Sequence, residues 1–442
     1  MTARKDPTMF AYYFKLALRS FRRNKVLTAL MVLAIALGIG AAMTTLTVFK
    51  VLSGDPIPHK SDRLFYVQLD PYTRDGYKPG EEPEWQLTRF DAEELLRQKK
   101  APRQAMMTGG SGIVDPRLDA LKPFSVGARY TSADFFPMFD TPFQYGQGWS
   151  GNEDTGHARV AVISRTLNEK LFKGANSVGR EVLFEGHPLR IVGVLDAWSP
   201  RPQFYDLFSG RYDRQEDVFV PFSTSRDLQL DRNGNMNCFG REIVNDATAL
   251  NVPCSWIQYW VELDSAGDAA AFKIYLDNYS DQQRAAGRFE RPANTRLRNV
   301  MEWLDVRGVV PGDVRLQMWL AFGFLLVCLV NTVGLLLAKF LRRSGEIGVR
   351  RALGASRGEI FKQCLVEAGT IGLAGGLLGL LFALGGLWAV RQRPAEYASL
   401  AHLDGSMLLL TFALAIVASL LAGMLPAWRA MQVAPALQLK SQ

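Results

Sequence analysis

The chain has 442 residues, 48% of them hydrophobic and 21% charged, with a formal net charge of +8. A mean hydropathy near zero is typical of a soluble protein, but here it averages long apolar runs with a polar block. Residues 51–315 contain 32 Lys/Arg and 37 Asp/Glu, so the basic excess lies elsewhere, in short segments beside the apolar runs. This distribution argues against nucleic-acid binding and favours a membrane protein.

The N-terminal segment, residues 1–25, carries seven bases and one acid. It predicts a cytoplasmic amphipathic helix along the membrane surface, followed by a first transmembrane span at 26–50. A cleaved signal peptide is the alternative, but the 23 uncharged residues 27–49 exceed its usual apolar length. The apolar face of the predicted helix contains Phe10, Phe14, Ala17 and Phe21, and the opposite face contains Lys15, Arg19 and Arg22.

Residues 51–312 predict a large external α+β domain built as two lobes, with an irregular lobe at about 199–255. Alternating or apolar segments predict strands at 64–69, 124–130, 159–164, 181–184, 189–194 and 256–263. Helical spacing predicts helices at 88–99, 131–136, 164–172 and 268–279, and residues 185–188 predict a turn.

Three further spans follow, at 313–340 with a stalk, 364–390 and 406–427. The apolar runs 316–338 and 368–390 have 23 uncharged residues each, enough for a helix to cross a bilayer. Residues 339–362 contain seven Lys/Arg and two acids, which places the loop 341–363 in the cytoplasm. The fold class is therefore an α-helical membrane protein with one span, an external domain and three spans. Both termini are cytoplasmic, residues 391–405 form a short outer loop, and residues 428–442 form a cytoplasmic tail.

The cysteines divide between the two environments. Cys238 and Cys254 lie in the external domain, where an oxidising compartment favours a disulfide, although two free thiols remain the alternative. Cys328 and Cys364 lie in or beside the membrane spans, where a thiol behaves as a small apolar group.

No constellation typical of catalysis is visible. The nearest approach to a phosphate-binding loop, residues 174–181, has Arg180 and Glu181 where the pattern needs lysine and a hydroxyl residue. The histidines are too scattered for a metal site: His59, His157, His187 and His402. We therefore expect no metal, no cofactor bound by this chain and no enzymatic activity of its own. A membrane enzyme is the alternative, to be tested by activity from the chain alone.

Some residues within the spans point to helix packing. Glu367 lies at the cytoplasmic end of the third span, and pairing with Lys362 or Arg357 is its simplest interpretation. Asn331 can hydrogen-bond either to a partner subunit or to a neighbouring backbone. Four glycines of the third span form two pairs, each four residues apart: Gly372 with Gly376, and Gly375 with Gly379. Such pairs allow another helix to approach closely, either within this chain or from another subunit.

The order of these elements resembles a known family. The segments RRSGEIGVRRALGASRGEIFKQCLVEA, after the second span, and LLAGMLPAWRAMQVAPALQL, at the end, are similar to those of the type VII ABC transporter permeases, the MacB/FtsX-like family. Residues 131–149, 156–195 and 217–225 resemble the MacB periplasmic core domain, whereas 227–251 looks like an elaboration.

The resemblance implies a mechanism and partners. Such permeases dimerise, with a second copy or a paralogue, and their loop between the second and third spans, here the coupling loop 341–363, docks on a cytoplasmic ATPase that binds ATP. Mechanotransmission then passes the movement along the second span to the external domain. MacB carries a fused ATPase, whereas eight residues precede the amphipathic helix here, so we expect a separate ATPase polypeptide. The matching ATPase-coupling positions are Glu346, Arg350, Arg351, Leu353, Gly354, Ala355 and Ser356.

Three functions are consistent with the resemblance. The MacB-like core motifs favour an inner-membrane export or efflux permease that works with a periplasmic adaptor and an outer-membrane channel. A lipoprotein-extracting permease similar to the LolC/LolE pair has the same topology. An FtsX-like signalling permease that regulates a cell-wall hydrolase usually has a smaller external domain.

Overall fold

The computed structural model describes residues 7–117, 121–212, 216–240, 245–392 and 402–432, without the side chains of residues 7–11 and 22. Parts of the predicted amphipathic face, outer loop and C-terminal tail lie outside these residues. The described residues form two compact units. We call Met1–Ser53 with Val310–Gln442 the membrane unit and Gly54–Val309 the inserted domain.

Thirteen α-helices occur in the described ranges. They are α1 Pro7–Arg23, α2 Lys25–Ser53, α3 Arg89–Gln98, α4 Phe135–Met138, α5 Gly151–Thr155, α6 Arg165–Phe172, α7 Phe222–Asp227, α8 Ala266–Ala285, α9 Val300–Val306, α10 Gly312–Arg342, α11 Ser344–Ala352, α12 Arg357–Arg391 and α13 Gly405–Met431.

The same ranges contain twelve β-strands. They are β1 Leu64–Gln68, β2 Leu87–Thr88, β3 Arg103–Asp115, β4 Phe124–Thr131, β5 Phe143–Gly146, β6 Val160–Ile163, β7 Glu181–Phe184, β8 His187–Leu195, β9 Val218–Pro221, β10 Asn237–Cys238, β11 Cys254–Glu262 and β12 Arg296–Asn299.

In the described part of the chain, four helices are long and apolar enough to cross a membrane: α2, α10, α12 and α13. Each predicted span lies inside one of them. Within an apolar 18-residue stretch of each helix, 50% of α2 is buried inside the chain, against 22% of α10. The helix α2 is therefore enclosed by the others, whereas α10 exposes most of its surface. Asn331 is exposed on α10, and its side chain makes no hydrogen bond to another described residue.

The glycines of α12 pack against two different helices of the same chain. A Cβ on Gly372 would lie 2.0 Å from the Ser419 hydroxyl oxygen of α13, and one on Gly375 would lie 2.7 Å from Ile35 of α2. Gly376 faces α13 and Gly379 faces α2 in the same way. Two glycine strips offset by three residues thus let two helices approach the α12 backbone closely, where larger side chains would force them apart.

The strands of the inserted domain are connected in one hydrogen-bonded path. Its order is β12-β1-β11-β3-β4-β9-β6-β8-β5, with β2, β7 and β10 paired at its sides. β4–β9 and β6–β8 are parallel pairs. Every residue of β11 is buried, and β11 lies between β1 and β3 in the sheet.

The stretch predicted as an irregular lobe contains regular elements. Residues 199–255 contain β9 and α7, and β9 joins β4 to β6 in the middle of the sheet path. The inserted domain is one compact unit. Within the same stretch the structure joins Cys238 to Cys254 by a disulfide.

The longest strand, β3, was not predicted because three glycines interrupt its apolar pattern. These glycines make room for side chains from neighbouring segments. A Cβ on Gly110 would lie 2.4 Å from the Tyr130 ring, and one on Gly112 would lie 2.5 Å from the Phe184 ring. Glycine in a strand is typical of such close approach.

The turn between β7 and β8 is also shorter than predicted. It contains only Glu185 and Gly186, both with positive φ, which is the conformation of a two-residue hairpin turn. His187 and Pro188 belong to β8 instead.

A buried ion network attaches residues 203–206 and 216 to β4. The Arg129 guanidinium, only 1% exposed, lies 2.7 Å from the Asp206 carboxylate and also binds Glu216. Glu216 in turn accepts hydrogen bonds from Gln203 and Tyr205. Because a buried charge is costly without a partner, these contacts fix residues that have little regular structure.

Asp154, in α5, connects three segments of the inserted domain. Its carboxylate accepts hydrogen bonds from the Ala133 amide and the Trp149 indole, each 2.6 Å long, and its carbonyl accepts one from Ser223. Burial raises the pKa of Asp154 to about 6, although both hydrogen bonds to its carboxylate oppose this shift.

We predict that Asp154 stabilises the folded protein more at low pH than at neutral pH, which is opposite to the usual behaviour of a carboxylate. The folded protein binds the Asp154 proton more tightly than the unfolded chain, so its contribution to stability grows as pH falls from about 7 to 4. The advantage of the wild type over Asp154→Asn should increase by up to about 2–3 kcal/mol in that window. Thermal unfolding of the full chain in detergent, followed by tryptophan fluorescence, measures it.

Asp246 provides the control, because hydrogen bonds from Thr248 lower its pKa. The advantage of the wild type over Asp246→Asn should shrink as pH falls. The same sign of pH dependence in both variants would contradict the assignment for Asp154.

Candidate functional site

The coupling loop contains a helix that was not predicted. α10 ends at Arg342, α11 follows after Arg343, and residues 353–356 form the turn into α12. The loop is therefore a short helix held between the ends of two long ones, and not an extended connection.

α11 has a buried face and an exposed face. Ile347 and Gly348 are buried, and Ile347 belongs to the apolar core of the membrane unit. Val349 is 51% exposed and Leu353, just beyond the helix, is 84% exposed. The loop thus presents two large apolar side chains outward, in a segment that is otherwise rich in charge.

The turn after α11 depends on Gly354 and Ser356. Gly354 has φ +103°, a region that L-amino acids rarely adopt, and a Cβ there would meet no atom within 4 Å. The side-chain hydroxyl of Ser356 accepts a hydrogen bond from the Glu359 amide, and the Glu359 carboxylate accepts one from the Ser356 amide. This capping box starts α12, while half-buried Ala355 packs on the apolar core of the membrane unit.

Glu346 connects α11 to two other segments. Its carboxylate binds the guanidinium groups of Arg343 and Arg23. Partial burial favours the neutral acid, but the hydrogen bond and charge of Arg343, joined by Arg23, hold the pKa of Glu346 below its ordinary value. The residue is therefore ionised at neutral pH, and the ion pairs persist.

The two consecutive arginines of α11 point to different helices. Arg350 donates a 2.8 Å hydrogen bond to the side-chain oxygen of Gln363 on α12. Arg351 donates a longer one, 3.4 Å, to the carbonyl of Met431 at the end of α13. Of the predicted coupling positions, Glu346, Arg350, Arg351 and Ser356 thus hold the loop in place, whereas Leu353 is exposed.

Glu367 is the buried charge beneath this loop, and its predicted pairing was wrong. Its carboxylate lies 2.8 Å from the Lys339 ammonium and 3.0 Å from the Arg343 guanidinium, not against Lys362 or Arg357, which are exposed. The Lys339 side chain is fully buried and that of Glu367 is 4% exposed.

The amphipathic helix α1 completes this cluster, which sequence reasoning missed. The Ser20 hydroxyl donates a 2.5 Å hydrogen bond to Glu367 and accepts one from Arg343. Thr28 of α2 accepts a hydrogen bond from Lys339. We call Ser20, Lys339, Arg343, Glu346 and Glu367 the ion cluster; it joins α1, α10, α11 and α12.

The described residues contain no group of three or more His, Cys, Asp or Glu side chains placed to hold a metal ion. The coupling loop has buried ion pairs on its inner side and two exposed apolar side chains, Val349 and Leu353, on its outer side.

Comparison with known proteins identifies the class. Residues 28–279 match the family model of the MacB-like periplasmic core domain, and residues 318–435 match that of the FtsX-like permease C-terminal domain. The chain belongs to the MacB/FtsX-like permeases of the type VII ABC transporters. It is a multi-pass membrane protein, and both matching models describe permease domains.

Individual relatives are distant. The chain is 24% identical over 426 residues to the pyoverdine export ATP-binding/permease protein PvdT of Pseudomonas aeruginosa, which covers 95% of this chain and 57% of that protein. It is 24% identical over 431 residues to the macrolide export ATP-binding/permease protein MacB of Azoarcus sp., covering 96% and 59%. The chain therefore spans less than two thirds of the length of these relatives.

Among solved structures, the periplasmic region of MacB from Actinobacillus actinomycetemcomitans is similar. The match covers 60% of this chain and 98% of that one, with 14% identity and a TM-score of 0.37.

We predict unequal costs for the members of the ion cluster. Glu367→Leu leaves Lys339 buried without a countercharge and should destabilise the membrane unit by about 3–5 kcal/mol. Lys339→Met should cost less, because Glu367 keeps Arg343 and Ser20. Combining both changes should recover part of the loss from Glu367→Leu, since an apolar pair replaces a broken ion pair. Thermal denaturation in mild detergent measures the series.

The control is Lys50→Gln, which removes the half-exposed pair of Lys50 with Asp404. That change should cost less than about 1 kcal/mol. A loss from Glu367→Leu as small as that of the control would show that the cluster does not hold these helices together.

Proposed function

We propose that this chain is the permease subunit of an ATP-driven exporter, whose coupling loop docks on a separate cytoplasmic ABC ATPase. The observation that carries the proposal is the apolar tip of the loop, where Leu353 is 84% exposed beside Val349. A large apolar side chain held outward on an ordered turn is typical of an anchor for a protein partner.

The surroundings of the tip fit a protein rather than lipid alone. Arg342, Arg357 and Lys362 are exposed in the same loop. Long cationic side chains can form a polar rim beside an apolar anchor, and their excess supports a cytoplasmic position for the loop. That orientation puts both termini in the cytoplasm and the inserted domain in the periplasm.

The ion cluster supports transmission of force from the loop. Arg343 binds Glu346 of α11 and Glu367 of α12, and it directly follows α10. A displacement of α11 by the ATPase would therefore have to move α10 and α12 or break buried ion pairs. Movement of the helices, driven by ATP on the partner subunit, would then reach the periplasmic domain.

Export is favoured over the other activities of such permeases by the relatives. Both PvdT and MacB bear names that assign export, of pyoverdine and of macrolides. We extend only the class of activity to this chain: export of a periplasmic substrate by an inner-membrane dimer, with a periplasmic adaptor and an outer-membrane channel. Lipoprotein extraction and signalling to a cell-wall hydrolase are outcomes of the test below.

We predict that Gly354→Val weakens docking of the ATPase while the protein still inserts into the membrane. A β-branched residue at φ +103° costs roughly 1–2 kcal/mol and would reorient the turn that presents Leu353. Binding of the ATPase to the purified permease should fall by about 5- to 30-fold. Gly358→Val is the matched control, because Gly358 is also exposed in open space but lies within the helical first turn of α12. Equal binding by both variants and the wild type would contradict the docking role.

Affinity purification of the full chain from its native membrane in mild detergent tests the assembly. We expect an ABC ATPase, with ATP hydrolysis in the purified sample, together with an adaptor of the membrane-fusion type. A lipoprotein carrier instead of the adaptor would indicate lipoprotein extraction, and a cell-wall hydrolase would indicate signalling. If no ATPase copurifies under any gentle condition, the proposed function is wrong.

A further inference from the structure

The chain passes between the membrane unit and the inserted domain twice, after Ser53 and before Val310. Under the proposed function, movement of α2 and α10 is passed to the domain along the chain at these two crossings. The residues on the domain side of each crossing therefore decide whether helix movement displaces the domain or is absorbed by a slack connection.

At the first crossing, the side chain of Lys60 fastens the chain to the domain. Its ammonium donates to the carbonyls of Pro137, at 3.0 Å, and Met138, at 3.3 Å, and to the Asp140 carboxylate, at 2.6 Å. The Lys60 side chain is only 12% exposed. One cation thus ties the segment that follows α2 to the end of α4.

Backbone contacts make this segment short and stiff. The amides of Lys60 and Ser61 both donate to the Ile57 carbonyl, each at 2.9 Å, and Ile57 is buried. The chain therefore reaches Lys60 through a closed turn, and a pull on residue 54 meets the Lys60 contacts within a few residues.

At the second crossing, Arg211 holds the backbone itself. Its guanidinium donates to the carbonyls of Arg307 and Gly308, both at 3.1 Å. These are the residues directly before Val309, which is 1% exposed and whose amide donates to Leu304. Two bonds from one planar group fix the direction of the backbone as well as its position.

The Arg307 side chain anchors the same point from the other side. Its guanidinium lies 4.4 Å from the centre of the Phe208 ring and 4.8 Å from that of Trp85. Trp303 also faces it and stacks on Tyr66 of β1, with ring centres 3.7 Å apart. The last turn before the crossing is thus joined to the central sheet.

Both crossings are held by the same kind of contact. In each, a cationic side chain donates to main-chain carbonyls of another segment. Lys60 reaches from the first crossing to the backbone at the end of α4, and Arg211 reaches from the domain to the backbone of the second crossing. We infer that Lys60 and Arg211 are positioning residues that make the two crossings rigid, so that movements of α2 and α10 are passed into the inserted domain. The inference rests on the proposed function.

The test uses the permease–ATPase complex purified from membranes and hydrogen exchange measured by mass spectrometry. Exchange is compared in the nucleotide-free state and in the state trapped with ATP and vanadate. In the wild type we expect ATP-dependent differences both in the cytoplasmic half of α10 and in β1, β11 and β12 of the domain.

Lys60→Met and Arg211→Met remove the donors and keep an apolar stem. The ATP-dependent difference in the domain strands should fall about fivefold or more in each variant, while that of α10 and the rate of ATP hydrolysis remain. Lys273→Met is the control, because Lys273 makes its 2.7 Å bonds to Asp277 within α8 alone. It should leave the domain response unchanged.

Conservative variants separate positioning from folding. Arg211→Lys can still bind one carbonyl, and Lys60→Arg keeps a cation, so both should restore most of the domain response. A domain response equal to that of the wild type in both methionine variants overturns the inference and leaves the proposed function intact. If a methionine variant unfolds the domain, a reduced domain response in the folded Lys273→Met variant would overturn the inference equally, because the loss of response would then not be specific to the two crossings. A wild-type complex without any ATP-dependent difference would overturn the proposed function with it.

Discussion

The membrane unit depends on one buried negative charge. Glu367 lies inside a bundle of apolar helices, where an isolated carboxylate would be strongly unfavourable. Its neutralisation requires Lys339 and Arg343, from the end of α10 and the residue after it, and a hydroxyl from α1. Because these partners come from separate segments, satisfying the charge fixes how these ends of the helices meet.

The pairing of Glu367 with Arg343 also determines the geometry of the coupling loop. Arg343 has one side chain but binds two carboxylates, Glu367 below and Glu346 on α11. The same guanidinium therefore sets the angle at which α11 leaves α10. The exposed face with Val349 and Leu353 follows from this angle, since Ile347 occupies the buried side.

Much of this architecture could be predicted from the sequence, because its signals are local. The four spans follow from apolar runs of bilayer length, and α6 follows from the serine cap before an apolar helical pattern. The strand β3 could not be found in the same way. Its glycines are explained by the Tyr130 and Phe184 rings, which come from other strands and are not visible in a local pattern.

The candidate site shows the same division. The positions Leu353, Gly354 and Ser356 could be named from motif and turn chemistry, and whether they bind an ATPase stays a prediction. The partners of Glu367 could not be named. Ser20 lies 347 positions away, and Lys339 reaches Glu367 only because α10 and α12 are brought side by side. A search of the nearest basic residues therefore selected Lys362 and Arg357, which share the helix but face outward.

The placement of Glu367 late in the chain has a consequence for biogenesis. Synthesis proceeds from the N-terminus, so Ser20, Thr28, Lys339 and Arg343 have all emerged from the ribosome before Glu367. The third span thus reaches the membrane only after the groups that can neutralise its acidic residue have been synthesised.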